Sequence, residues 1–290
     1  MTCDFFLPQL TADNSYTFYS GEFEETFHSQ SGAKTEAEQK FVASTELEIK
    51  AHQPAITLLD VCYGLGYNTA AALAKIWTVN PNCFVEVIAL ESNIDVINSA
   101  ISHGLLDSWE PRILQILTTL ATDRQVQTAR CQGTLLLGDA RQTIKLIPSS
   151  FAADAIFLDP FSPPKCPQLW TIEFINLVAS YLHERGILAT YSAAAAVRTA
   201  LQAAGLHIST CNSIGRRSPS TIAARYELPP LSKLQQEHLL TRAAIPYRDP
   251  YLQDLSAVIL LRRQQEQQIS LLEPTARWHR RTRRKFEKDP

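Results

Sequence analysis

No run of about 18 apolar residues occurs in this chain, so no membrane-spanning helix is expected. The N-terminus has no basic segment followed by an apolar stretch. A secretory leader is therefore not expected either, and the cytoplasm is the default compartment. Cys3, Cys62, Cys83, Cys131, Cys166 and Cys211 form no CxxC and no Cys/His grouping at a metal-binding spacing. Reduced, mostly buried thiols and no resident metal are the expectation. Internal repeats are absent too. With 45% hydrophobic and 19% charged residues, the chain lacks the composition of a disordered protein.

What is present suits a folded enzyme. A length of 290 residues accommodates one α/β domain of about 200 to 250 residues plus a modest extension. Charge is unevenly spread. The last 14 residues hold Arg277, Arg280, Arg281, Arg283, Arg284, Lys285 and Lys288 against Glu287 and Asp289, a net +5 that leaves −7 for the rest of a chain whose total is −2. Segregation on this scale points to an anionic partner.

Three regions follow from the patterning. Residues 1–50 open with an alternating aromatic stretch, Tyr16 to Phe27, that predicts a short antiparallel hairpin, then a loosely periodic helix from Ala33 to Lys50. Residues 51–228 repeat strand, turn and helix. Strands are expected at Ile56 to Cys62, Phe84 to Leu90, Gly133 to Leu137, Ala155 to Leu158, Gly186 to Tyr191 and His207 to Cys211, with Thr221 to Glu227 returning antiparallel. That pattern predicts a mostly parallel, seven-stranded sheet with helices on both faces. Leu228-Pro229-Pro230 marks a boundary, and residues 229–290 form an extension with helices expected over Leu231 to Arg242 and Leu252 to Gln268 before the basic tail.

The first repeat ends in Asp60-Val61-Cys62-Tyr63-Gly64-Leu65-Gly66-Tyr67-Asn68, a buried strand running into a glycine turn and an Ala-rich helix. Glycines let a ligand approach the backbone and the helix N-terminus. A dinucleotide fingerprint would place a third glycine where Thr69 stands. Glu91 ends the next strand, where a carboxylate can accept from two ribose hydroxyls, and Asp139 follows another strand, where it can accept from an adenine amino group. Asp60, Glu91 and Asp139 at successive strand ends suit S-adenosyl-L-methionine, which has no pyrophosphate to cradle. The fold expected is then the Rossmann-like class I methyltransferase fold. The plainer alternative is that these acids only shape turns and helix starts.

The fourth strand runs into Asp159-Pro160-Phe161-Ser162-Pro163-Pro164-Lys165, a stiff loop at the sheet edge where open α/β sheets place their chemistry. Methyl transfer needs a nucleophile aligned behind the methyl group, and an alkylamine must first shed a proton. Asp159 is the candidate acceptor of that proton. A merely loop-capping Asp159 is the alternative.

The stretch from Asp159 to Thr171 resembles the D-x-F-x-P-x-K-N-P-x-x-W-T segment of the methyltransferase half of the MnmC family, bifunctional proteins that modify the tRNA wobble uridine. Tyr19-Ser20 with Phe23, Glu25 and Phe27, the run Gly64-Leu65-Gly66-Tyr67-Asn68, Ala189-Thr190-Tyr191-Ser192 with Val197-Arg198, and Gly215-Arg216-Arg217 also look like family segments. Cys62, Pro160 and Cys166 depart from it, standing where glycine, glycine and asparagine are usual. The resemblance covers about Tyr16 to Tyr226 and implies an N-methyltransferase that converts an aminomethyl-uridine in tRNA to the methylaminomethyl form. Gly64, Gly66 and Asn68 would join the three acids at the cofactor, and Phe161, Lys165, Trp170 and Arg216 would meet the substrate. Nothing after Pro229 resembles the family's FAD-dependent oxidase half. A stand-alone methyltransferase is therefore expected, supplied by a separate oxidase or other upstream enzymes.

Trp278-His279-Arg280-Arg281-Thr282-Arg283-Arg284-Lys285-Phe286 interleaves aromatics with cations, which suits phosphates and unpaired bases, or a solvated terminus. Two other readings remain compatible: a small-amine methyltransferase or spermidine synthase-like aminopropyltransferase, and a non-catalytic RNA-binding protein that kept the fold.

Overall fold

A computed structural model describes residues 6–211 and 219–286. The N-terminal region holds two small hairpins rather than one. Strand β1 (Gln9–Leu10) pairs with β2 (Tyr16–Thr17), and β3 (Tyr19–Ser20) pairs with β4 (Glu25–Thr26), both antiparallel. The helix expected from Ala33 to Lys50 is broken into α1 (Ala33–Glu36), a π-helical turn at Ala37–Val42 and α2 (Leu47–Lys50). Thr45 Oγ1 donates to the Phe41 carbonyl at 2.7 Å, and Glu46 takes a left-handed φ of 58°, which ends helical propagation before α2.

The central sheet has the seven expected strands and one more. In chain order its elements are β5 (Ala55–Val61), α3 (Tyr67–Val79), β6 (Phe84–Glu91), α4 (Ile94–Ser102), α5 (Pro111–Asp123), β7 (Gln125–Gln127), β8 (Cys131–Leu137), α6 (Ala140–Thr143), β9 (Ala153–Leu158), α7 (Ile172–Ser180), β10 (Leu182–Thr190), α8 (Ala195–Ala203), β11 (His207–Thr210) and β12 (Thr221–Ala224). The spatial order is β11-β12-β10-β9-β5-β6-β8-β7. The run from β10 to β8 is parallel throughout, and β12 enters antiparallel between β10 and β11. The additional strand β7 is an antiparallel edge with only Val126 turned inward, too short to leave a periodic signal.

Alternation along β5 explains how two cores are served at once. Ile56 and Leu58 join a cluster with α3, α5 and the N-terminal region, whereas Leu59 and Val61 join a second with α7, α8 and the C-terminal extension. Each appended region thus covers one face of the sheet. The extension consists of α9 (Lys233–His238), α10 (Ser256–Ile269) and α11 (Thr275–Phe286). The first is shorter than the sequence suggests because a capping box at Ser232 and Gln235 starts it and Leu239 to Thr241 turns away. The basic tail is helical, at least to Phe286. No helix among the described residues is long and apolar enough to cross a membrane.

Candidate active site

The carboxyl ends of β5, β6, β8, β9 and β10 open onto a cavity of about 490 Å³, within the size range of small-molecule sites. Glu91, at the end of β6, is held by backbone donors on both carboxylate oxygens. One carboxylate oxygen accepts from the Gly64 N–H at 2.8 Å, and the other from the Ser92 and Asn93 N–H groups at 2.8 and 2.9 Å. Burial pushes its pKa up, while those backbone donors pull it down and favour the charged form; the net direction is upward. The oxygen that holds the Ser92 and Asn93 N–H groups also takes the Ser92 hydroxyl at 3.3 Å, so the open acceptor capacity for a ligand hydroxyl lies on the oxygen that holds only the Gly64 N–H.

Asp139 follows β8, lines the cavity and caps α6 by accepting from the Arg141 N–H at 2.9 Å. Burial raises its pKa, but the Arg141 guanidinium outweighs this and holds it below the usual carboxylate range. Arg141 lies between two acids. Nη2 reaches Asp139 at 2.7 Å, and Nη1 reaches the fully buried Asp249 of the extension at 2.8 Å. The extension therefore braces the cavity wall. Ser256 holds Gln168, a lining residue, at 2.9 Å, and Arg248 and the Asp249 N–H both hold Glu173 at 2.8 Å.

Asp60 stands behind this wall rather than in it. It is fully buried, accepts from Thr69 Oγ1 at 2.7 Å and leaves Oδ1 without a partner; burial, reinforced by nearby Glu91, pushes its pKa up to about 7. Gly66 is also set back. A Cβ there would sit 2.7 Å from the Tyr63 hydroxyl, and its φ of 91° is one that side chains avoid. Gly64, by contrast, lines the cavity, with φ 57°. Cys62 departs from the family's glycine at a position that takes φ 69°, so a cysteine here adopts a backbone conformation suited to glycine.

Asp159 lines the cavity at the end of β9, its N–H bonded to the Val61 carbonyl at 3.1 Å. Asn68 does not reach the cavity; its Nδ2 donates to Asp159 Oδ2 at 3.0 Å and orients that carboxylate. Phe161 stacks on Phe23 at 4.3 Å and meets Phe27 edge-on at 4.9 Å. Ser162 gives both its N–H, at 3.0 Å, and its hydroxyl to Glu25. Lys165 pairs with exposed Glu24 and lies outside the cavity lining.

Trp170 is the clearest departure from expectation. It is fully buried, donates from Nε1 to the Phe161 carbonyl at 2.8 Å and does not line the cavity, so here it supports the loop from beneath. Arg198, part of another family segment, is buried and donates to Thr221 Oγ1 at 3.0 Å. Arg216 lies outside the described residues, as do Gly215 and Arg217. Cys166 is buried at the cavity, which pushes its thiol up to about 12, so it stays protonated at neutral pH.

Sequence reasoning missed the roof of the cavity. Phe23, Glu25, Phe27 and His28 come from the N-terminal hairpin, and Tyr191 donates its hydroxyl to the Pro160 carbonyl at 2.8 Å. Phe23, Glu25 and Phe27 figured in the family resemblance, but only as parts of a hairpin. His28 is buried beside Thr17 and Tyr67, and burial drives its pKa to about 4, against the opposing pull of Glu36 and Asp13.

A mostly parallel α/β sheet with an antiparallel strand inserted beside one edge strand, a glycine turn after a central strand and an acid ending the next has the form of a class I S-adenosyl-L-methionine-dependent methyltransferase. Comparison with known proteins agrees. The model of an S-adenosyl-L-methionine-dependent methyltransferase family matches residues 103–226. The crystal structure of MnmC2 from Aquifex aeolicus superposes with a TM-score of 0.80 at 33% identity, covering 90% of this chain and 85% of that one. The chain belongs to the MnmC methyltransferase family. The tRNA 5-methylaminomethyl-2-thiouridine biosynthesis bifunctional protein MnmC from Ralstonia nicotianae is 31% identical over 75% of this chain, which spans 34% of that relative's length. An uncharacterized protein, MJ0670, from Methanocaldococcus jannaschii is 27% identical over 83% of this chain and 67% of its own length.

Proposed function

We propose that this chain methylates the amine of an aminomethyl group on a wobble uridine in tRNA. The observation that carries the reading is Asp159, set at the cavity by Asn68 and flanked by the Phe23–Phe161 stack, in a chain similar to relatives whose name gives that biosynthesis. Adenosylmethionine, when bound, supplies an electrophilic methyl group on a sulfonium.

The residues present fit it. Glu91, with open acceptor capacity, takes the ribose hydroxyls, Asp139 takes the adenine amino group, and Gly64 lets the ligand approach the turn without a side chain. Asp60, Asn68 and Gly66 act one step back by fixing the turn and Asp159. Phe161 offers an aromatic face to the acceptor base, and Trp170 supports that face from below. Lys165, ion-paired with Glu24 at the loop's outer side, would exchange that partner for a substrate phosphate.

An alkylammonium has no lone pair to donate, so Asp159 accepts its proton as the neutral amine forms. Its carboxylate also orients the remaining N–H groups, which aligns the nitrogen for displacement. The apolar roof of Phe23 and Phe27 excludes water from that nitrogen and lowers the cost of deprotonation.

The test is methyl transfer to tRNA. Incubation with adenosylmethionine and tRNA bearing 5-aminomethyl-uridine, followed by nucleoside mass spectrometry, should show the methylaminomethyl nucleoside. Turnover of a free alkylamine or of a polyamine precursor, with tRNA untouched, would overturn the assignment in favour of small-amine chemistry.

A further inference from the structure

The last helix is rich in cations, and the structure shows that Arg281 is committed to the fold. Trp278 is buried and stacks on His238 at 4.6 Å with rings 16° apart, and Thr282, one turn on, is buried too. Arg281 is held by Glu237 at 3.0 Å and Glu273 at 3.1 Å. These contacts fasten α11 to α9 and to the turn before it.

Of the other cations whose side chains are described, Arg277 and Arg280 face outward. Arg277 is 76% exposed, with Glu273 only at the 4.0 Å limit of an ion pair, and Arg280 is exposed and pairs with no carboxylate among the described residues. Arg283, Arg284 and Lys285 continue the helix in sequence, with no acid among them. Like charges three and four residues apart repel on a helix. An anionic partner relieves that repulsion. Outside the last 14 residues the chain carries −7, so the excess positive charge of the chain is concentrated here.

Trp278 is committed to His238 and is not available to stack on unpaired bases. The surface there presents charge at helical spacing, suited to a phosphate backbone. It also lies on the extension whose helix α10 packs on the turn Pro167–Trp170, part of which lines the cavity.

We infer that the outer face of α11, through Arg277 and Arg280, binds the phosphate backbone of the RNA acceptor in a sequence-independent way. The inference rests on the tRNA reading above. The experiment uses the full chain and an unmodified tRNA transcript with uridine at the wobble position, with the dissociation constant measured across a potassium chloride series. The double variant Arg277→Glu/Arg280→Glu should bind on the order of tenfold more weakly, with a salt slope shallower by about 1.5, since each lost phosphate contact removes about 0.7 to 0.9 from the slope. Adenosylmethionine affinity, read by calorimetry, should not move, which keeps misfolding out of the result. Arg277→Lys/Arg280→Lys should keep both affinity and slope. An unchanged dissociation constant and slope in the glutamate variant would overturn the inference. If the parent chain methylates an amine but neither binds nor modifies tRNA, the acceptor assignment fails instead.

Discussion

The two sides of the cavity are built differently. One is made by strand ends of the sheet, where Glu91 and Asp139 sit within a few residues of the strands that carry them and are held by local backbone N–H groups. The other is made by segments far away in sequence. Glu25 holds Ser162 across 137 residues, Phe23 and Phe27 cover Phe161, and Asp249 holds Arg141 across 108. In the proposed reading the sheet side holds adenosylmethionine, with Arg141 and Asp249 bracing Asp139 there, and the N-terminal hairpin shapes the space left for an acceptor. Specialisation in this family is therefore expected to sit in the appended regions, on a cofactor site set by the sheet.

The sharpest way to break this division is at Asp159, where the two sides meet. Asp159→Asn should lower kcat by about 10² to 10⁴, the usual worth of positioned acid–base catalysis. Adenosylmethionine affinity should stay near that of the parent, as calorimetry can check; a large loss of cofactor binding would place Asp159 on the cofactor side instead.

Arg141 tests whether the extension belongs to the site. Arg141→Ala strands the fully buried Asp249 and should cost about 3 kcal/mol of stability in urea titration. The KM for adenosylmethionine should rise with it as Asp139 loosens, whereas Glu25→Ala should lower kcat and leave that KM alone. Equal effects of the two variants on both parameters would erase the proposed division. Glu91→Gln should weaken adenosylmethionine binding by about ten- to a hundredfold, the worth of a charged hydrogen-bond acceptor. An affinity equal to the parent's would remove Glu91 from the ribose.

The smallest effect concerns pH. His28, buried under the appended side, has a folded pKa of about 4 against an ordinary 6.5, so its contribution is present above 6.5 and lost as pH falls toward 4. Asp60, behind the sheet side, has a folded pKa of about 7 against 3.8, so its contribution is present below 3.8 and lost as pH rises through 7. Between about pH 4 and 6.5 the two slopes oppose. Relative to the parent, Asp60→Asn should make stability rise more steeply with pH, and His28→Gln should make it fall, each by up to about 1.4 kcal/mol per pH unit. Urea midpoints measured across that range decide it, and parallel profiles for all three proteins would contradict both assignments.

Legibility in the sequence follows the same division. The strands, the glycine turn and the acids at strand ends are local patterns, and all seven expected strands are present. Asn68 and Asp60 could be singled out from their motif but not assigned a direction, since whether a side chain faces the ligand or the turn depends on packing. Trp170 sits in the most specific motif of the chain and yet lies beneath the loop, because motif membership does not distinguish contact from support. His28, Arg141 and Asp249 gave no signal, as their partners are fixed only by tertiary structure. The broken helix after Ala33 was hidden by a left-handed Glu46, which no residue type there advertises.

A crystal structure of the chain with S-adenosylhomocysteine bound tests the central claim most directly. The ribose hydroxyls should lie on Glu91, the adenine beside Asp139 and the sulfur facing Asp159 beneath Phe161. A nucleoside bound elsewhere, or one in this cavity whose ribose does not touch Glu91, would contradict it.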